Sequence, residues 1–221
     1  MNFPADLFSD AWAYAAFAPL ALVWLWCLRT APWRRLAAPG QLNVWLGAVV
    51  VLMLLWSMKA GVRPGLNLHL LGVTTLTLMF GRQLAIAGLS LVLLGVTLNG
   101  GAGWQAYALN ALLMAALPSF LAFAMLRGVE RWLPANFFIY VFIAAFLGAA
   151  VATVATGAAS TALLAVAGIY PAEMLFADYF PYFLLLGFSE AWLNGAALTL
   201  MVVYFPHWVG TFDDRRYLWN K

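Results

Sequence analysis

Seven apolar segments joined by short polar turns, with the basic residues gathered on one side of them, limit this chain to very few folds. The segments run at about 11–28, 42–58, 69–80, 83–98, 105–126, 137–168 and 182–205. Threaded from an outer N-terminus, they place Arg29, Arg34, Arg35, Arg82, Arg127, Arg131, Arg215, Arg216 and Lys221 in the cytoplasm, which is nine of the eleven Lys and Arg residues. Only Lys59 and Arg63 fall outside, together with Asp6, Asp10, Glu173 and Asp178. Basic loops stay on the cytoplasmic side of a membrane, so the bias gives N-out, C-in. That orientation requires an odd number of crossings and supports dividing residues 69–98 into two helices around Gly81. The fold class expected is all-α: a polytopic seven-transmembrane-helix bundle, residues 1–221 forming one membrane domain. Residues 1–10 are read as an outer N-terminal segment and 206–221 as a cytoplasmic tail.

Composition agrees. Apolar residues make up 66% and charged residues 9% of the chain, where soluble domains carry about a quarter charged residues. A net charge of +3 follows from the topology, and no basic stripe with interleaved aromatics suggests nucleic acid. One cysteine, Cys27, excludes an internal disulfide and a cysteine-based metal cluster. The first ten residues carry two acids and no base; a cleaved signal peptide starts with positive charge, so this end is expected to be retained. Trp24, Trp26, Trp33, Trp104, Trp132, Trp208 and Trp219 lie near segment ends, as interfacial aromatics do.

The third segment is too short to cross alone: about 18 Å at 1.5 Å per residue, against the ~30 Å hydrocarbon core. Gly61, Pro64 and Gly65 before it fit irregular backbone entering the membrane, which is tolerated only when buried in protein or lining a polar cavity. In the sixth segment Gly148, Ala152, Thr156 and Ser160 recur every fourth position, a small-residue face that lets helices pack closely. Ala11 and Ala15 repeat that spacing and could dock another membrane protein.

The polar residues that could carry chemistry are few. His69 is the outer histidine. Met1 precedes Asn2, a residue too bulky for removal of the initiator methionine, so a free α-amine is expected, with a pKa of about 7.7–8.0. An amine, a deprotonated amide nitrogen and an imidazole form a nitrogen-rich set suited to late first-row divalent metals; the same imidazole could instead simply hydrogen-bond its loop. Asn99, Gly100 and Gly101, in an uncharged glycine-rich loop, could pack over an inserted N-terminus or form a plain short turn. Glu190 and Asn194 share a face deep in the last segment, where an ionisable residue costs at least about 2.5–3.5 kcal/mol and must face the bundle interior. Asn110 is the expected partner of Glu190, as a structural clamp or in transport. His207 reads as interfacial. No Ser/His/Asp set converges and no histidine pair has metalloprotease spacing, so no enzyme is expected.

Three stretches carry a family likeness. Asn67-Leu68-His69-Leu70-Leu71-Gly72 resembles the histidine-containing outer motif of the CbiM/NikM family, the substrate-specific membrane components of cobalt and nickel energy-coupling-factor ABC transporters. The run from Asn99 through Trp104 to Asn110 and Met114 resembles that family's glycine-rich loop and following helix. The opening Met1-Asn2-Phe3-Pro4-Ala5-Asp6 resembles the family's start, Met-His-Ile-Pro-Asp-Gly. The resemblance implies an N-terminus folded into the bundle. It also implies metal held by the Met1 amine, the next amide nitrogen, the residue-2 side chain and His69. The cargo would be divalent nickel or cobalt, copper less so, with no other cofactor. Its partners would be a transmembrane scaffold (T) subunit and cytoplasmic ATPase subunits in a bacterial cytoplasmic (inner) membrane. Position 2 departs from the pattern: it is Asn2, a weaker ligand than histidine. That departure leaves a second reading, an assembly or interaction protein that keeps the fold without the metal site.

Overall fold

The computed structural model describes residues 2–219, with the side chain of Trp219 outside that description. Four helices are long and apolar enough to cross a membrane: α1 (Asp10–Thr30), α5 (Tyr107–Trp132), α6 (Phe137–Val166) and α7 (Ala172–Tyr204). Between α1 and α5 come two 17-residue helices, α2 (Gln41–Ser57) and α4 (Arg82–Leu98). The eight-residue α3 (Val73–Phe80) lies between them in the chain. The break foreseen at Gly81 is present: its φ of +83° separates α3 from α4. The stretch expected to be irregular is instead a small antiparallel hairpin, β1 (Ala60–Arg63) with β2 (Leu66–Leu68). Gly65, at φ +76°, makes its turn.

Two helices widen next to a proline. α5 turns into π-helix over Leu112–Ala116 just before Pro118, and α7 over Leu175–Tyr179 just before Pro181. A proline ring crowds the preceding turn and removes one N–H, and a π-turn absorbs that misfit. α7 therefore begins ten residues earlier than the apolar pattern alone suggests.

The short helix is the hub. α3 packs on α4, α5, α6 and α7, and all of it except Thr75 is buried. An isolated helix of this length is unstable, and its end groups need partners. α7 and the chain beyond it supply them at both ends. At the N-terminus, Asn194 Oδ1 accepts from Thr75 N at 2.8 Å and from Thr75 Oγ1 at 2.7 Å. At the C-terminus, Gly210 N donates to the Met79 carbonyl at 2.9 Å, and Thr211 Oγ1 donates to that of Leu78 at 2.7 Å. The segment read as a cytoplasmic tail thus packs back onto the bundle at Gly210 and Thr211. Nearby, Glu130 pairs with Arg127 at 2.6 Å and with Arg216 at 3.0 Å.

The small-residue face of α6 is buried at Gly148, Ala152, Thr156 and Ser160, and α6 runs along α7. On the same helix a Cβ at Gly157 would lie 2.1 Å from the Phe183 ring. That ring is fully buried and set edge-on to Tyr179, so it cannot retreat. Gly157→Val is expected to destabilise by about 1–3 kcal/mol through overpacking. Gly128→Ala, where a Cβ meets nothing within 4 Å, should stabilise by roughly 0.5–1 kcal/mol through helix propensity. Thermal unfolding in one detergent checks both, and a rise for the valine variant would contradict the packing assigned here.

Candidate functional site

The polar residues singled out in the sequence divide into two groups, one around the amino end and one below it. The amino end does fold into the bundle. Asn2 and Phe3 are 1% exposed, and Phe8 is buried against Phe3 with ring centroids 5.1 Å apart. Two apolar anchors draw this segment in, and Asn110 satisfies its backbone. Phe3 N donates to Asn110 Oδ1 at 2.9 Å, and Asn110 Nδ2 donates to the Phe3 carbonyl at 3.1 Å. Asn110 is therefore the seat of the N-terminal segment and not the partner of Glu190.

The glycine-rich loop closes over the segment, but through different residues than expected. Asn99 and Gly100 are exposed and terminate α4. Gly103 makes the close approach: its N–H points at the Phe3 carbonyl at 3.4 Å, and a Cβ there would sit 2.1 Å from Ala5 N. Gly101 contributes its carbonyl, which accepts from Lys59 Nζ. Partial burial lowers the Lys59 pKa below the usual lysine value.

His69 lies in the connector between β2 and α3, at 4% exposure. Its ring tilts against the Trp56 indole, 5.0 Å between centroids, and Trp56 Nε1 donates to the Leu71 carbonyl at 2.9 Å. His69 Nδ1 is 3.0 Å from the Leu70 carbonyl and Nε2 is 2.9 Å from Asn2 Oδ1. A carbonyl accepts, so Nδ1 carries the proton, and Nε2 presents its lone pair to Asn2. An imidazole lone pair facing an amide oxygen is satisfied by a shared cation, or by turning the amide so that its NH₂ donates. Asn2 Nδ2 is buried without a partner, so either arrangement is open to it. Met1, the remaining ligand implied by the resemblance, lies outside the described residues. Among the described residues no three His, Cys, Asp or Glu side chains gather as a metal site. A cleft of about 760 Å³ reaches His69 from the side, past Met58, Lys59, Tyr182 and Ser189.

Glu190 and Asn194 form the second group. The Glu190 carboxylate accepts from Leu71 N, from Gly72 N at 3.1 Å and from Asn194 Nδ2 at 2.7 Å. Leu71 and Gly72 follow His69 by two and three residues in the chain. Trp56, Thr75 and Gly103 carry no sequence signal that marks them for this site: an indole in an apolar run, a threonine in a helix and a glycine in a turn all have commoner uses. His207 is exposed, and its carbonyl accepts from Gln41 Nε2 at 2.9 Å.

The family described as "Cobalt uptake substrate-specific transmembrane region" matches residues 2–208. Two solved structures share the fold, each with a TM-score of 0.80 and 17% identity. One is described as a truncated transition metal transporter, the match covering 92% of this chain and 99% of that one. The other is described as a transition metal transporter, with 94% and 96% covered. No curated protein matches the chain.

Proposed function

Because the chain belongs to the family of cobalt uptake substrate-specific transmembrane regions, we propose that it is the substrate-binding membrane component of an energy-coupling-factor ABC transporter that imports a divalent transition metal, cobalt or nickel. The observation that carries this reading is the meeting of Asn2 with His69 inside the bundle. Their ligand atoms are 2.9 Å apart. An imidazole nitrogen beside further nitrogen donors suits late first-row divalent metals. Nδ1–H on the Leu70 carbonyl fixes the tautomer that leaves Nε2 free to ligate. The Met1 amine and a backbone nitrogen, as in the resemblance, complete the set.

The face bearing His69 is taken as the outer one, since nine of the eleven basic residues belong to the other side. The cytoplasmic membrane of a bacterium is the expected location. Metal enters by the cleft past Lys59 and Tyr182, and the subunit then turns against a transmembrane scaffold. Ala11 and Ala15 are exposed on α1 and offer that scaffold a small-residue face. Separate ATPase subunits supply the energy.

The second reading, a fold kept for assembly after loss of the metal site, is favoured by one feature: the Asn2 carboxamide can satisfy Nε2 without metal. Asn2→His separates the two. Imidazole binds these metals more strongly than an amide oxygen does, so the variant should bind Ni(II) at least about tenfold more tightly by calorimetry, starting from measurable binding by the natural protein. Binding seen only in the variant would support the assembly role instead.

A further inference from the structure

Glu190 is a charged side chain deep in an apolar helix, 1% exposed, and a mere helix-to-helix clamp would not need a carboxylate. Its partners are all donors: Leu71 N, Gly72 N and Asn194 Nδ2. That is the shell an ionised carboxylate accepts. Leu71 is two residues from His69, so the carboxylate acts on backbone within about 8 Å of the ligand's Cα. Two carbonyls of that connector are also tied. The Leu70 carbonyl faces His69 Nδ1 at 3.0 Å, and the Leu71 carbonyl accepts from Trp56 Nε1 at 2.9 Å. Gly72, at φ +64°, stands where a Cβ would be 2.4 Å from Leu52 Cδ2. The connector is thus held from two sides, and among the described residues Glu190 is the only anionic group bonded to it.

We propose that Glu190 is a positioning residue of the metal site: its carboxylate, seated on the Leu71 and Gly72 amides, fixes the connector that presents His69 and supplies negative charge to balance a buried dication. The proposal rests on the metal-binding reading above. A dication taken out of water needs opposing charge nearby; a deprotonated Asn2 amide would bring one negative charge, and neither the Asn2 carboxamide nor neutral His69 adds another. Lys59, on the cleft side, has the wrong sign. Asn194 holds the carboxylate in place and continues the brace to Thr75.

The test uses the full-length protein in detergent, with Co(II) chloride as probe, reading affinity by titration and ligand geometry by the visible d–d spectrum. Glu190→Gln keeps size and one acceptor but no charge. It should remain folded, bind Co(II) at least about tenfold more weakly, and show a shifted spectrum because His69 is no longer held. Glu190→Asp restores the charge and should recover at least half of the loss on a logarithmic scale. Wild-type affinity and spectrum in a folded Glu190→Gln protein overturn the proposal, since a purely structural clamp predicts that result. If Glu190→Gln does not fold, Asn194→Leu is the second variant. It leaves the carboxylate but removes the Asn194 donor from Oε2, which keeps only the Gly72 N–H, and a several-fold loss with an altered spectrum is expected; unchanged values overturn the proposal. His69→Ala run alongside separates the failures. If wild type and His69→Ala bind Co(II) equally, the metal site falls and the role of Glu190 with it. If His69→Ala alone loses binding, only the role of Glu190 falls.

Discussion

His69→Ala is expected to lower the affinity of the purified protein for Ni(II) and Co(II) by at least about 100-fold. Even groups that only orient a metal ligand cost about 10–100-fold when removed, and His69 is proposed as a ligand itself. No nearby side chain can replace it, since no cluster of His, Cys, Asp or Glu forms among the described residues. His69 also packs on Trp56, so alanine leaves a small cavity and some loss of stability. His69→Gln controls for this: it refills most of the space, hydrogen-bonds Asn2 and still lacks the imidazole lone pair. Calorimetry on both variants should show the same loss of metal binding and different thermal stability. Unchanged titration curves for both would remove His69, and with it the proposed site, from any role in carrying metal.

Much of this arrangement was legible in the residues because membranes simplify inference. Long apolar runs must be helices, and the break at Gly81 followed from the odd number of crossings that the charge bias requires. Asn2 and His69 could be brought together because the topology and the family likeness both place them on one face. What escaped had physical reasons. Glu173 and Asp178 interrupt the apolar pattern at the start of α7, so that helix looks shorter than it is. The hairpin of residues 60–68 is too short for strand periodicity to register and is rich in glycine and proline. Glu190 was recognised as buried and polar, but its partners are backbone amides, to which no residue pattern points. Asn110 was assigned to Glu190 because both are polar within the bundle. The actual partner, the Phe3 backbone, becomes visible only once the amino end is known to be inserted. Asn99 and Gly100 drew attention for their composition, whereas close packing selects Gly103.

Gly103→Ala is expected to unseat that inserted end. The added methyl would lie 2.1 Å from Ala5 N and 2.3 Å from Ala5 Cα. Both are backbone atoms, so no flexible side chain can give way, and the cost belongs at or above the top of the usual ~1–3 kcal/mol for overpacking. Against it stand the two hydrogen bonds between Asn110 and Phe3, worth about 1 kcal/mol each, and the burial of Phe3 and Phe8. Those phenyl rings are worth about 1.5–3 kcal/mol apiece against water, so they should hold the segment near the bundle while its tip shifts. Asn2 then leaves His69, and a displacement cost of about 1.4–3 kcal/mol appears as roughly 10–100-fold weaker metal binding. Asn110→Leu should act in the same direction by stranding the Phe3 N–H and carbonyl, both buried, at about 1–3 kcal/mol each. Hydrogen exchange reports the event directly: the Phe3 amide, protected by Asn110, should exchange faster in either variant while the α6 amides remain protected. If Phe3 protection and metal affinity both stay at wild-type values in Gly103→Ala, then the amino end does not pass beneath this loop. The pocket shared by Asn2 and His69 would then need another construction.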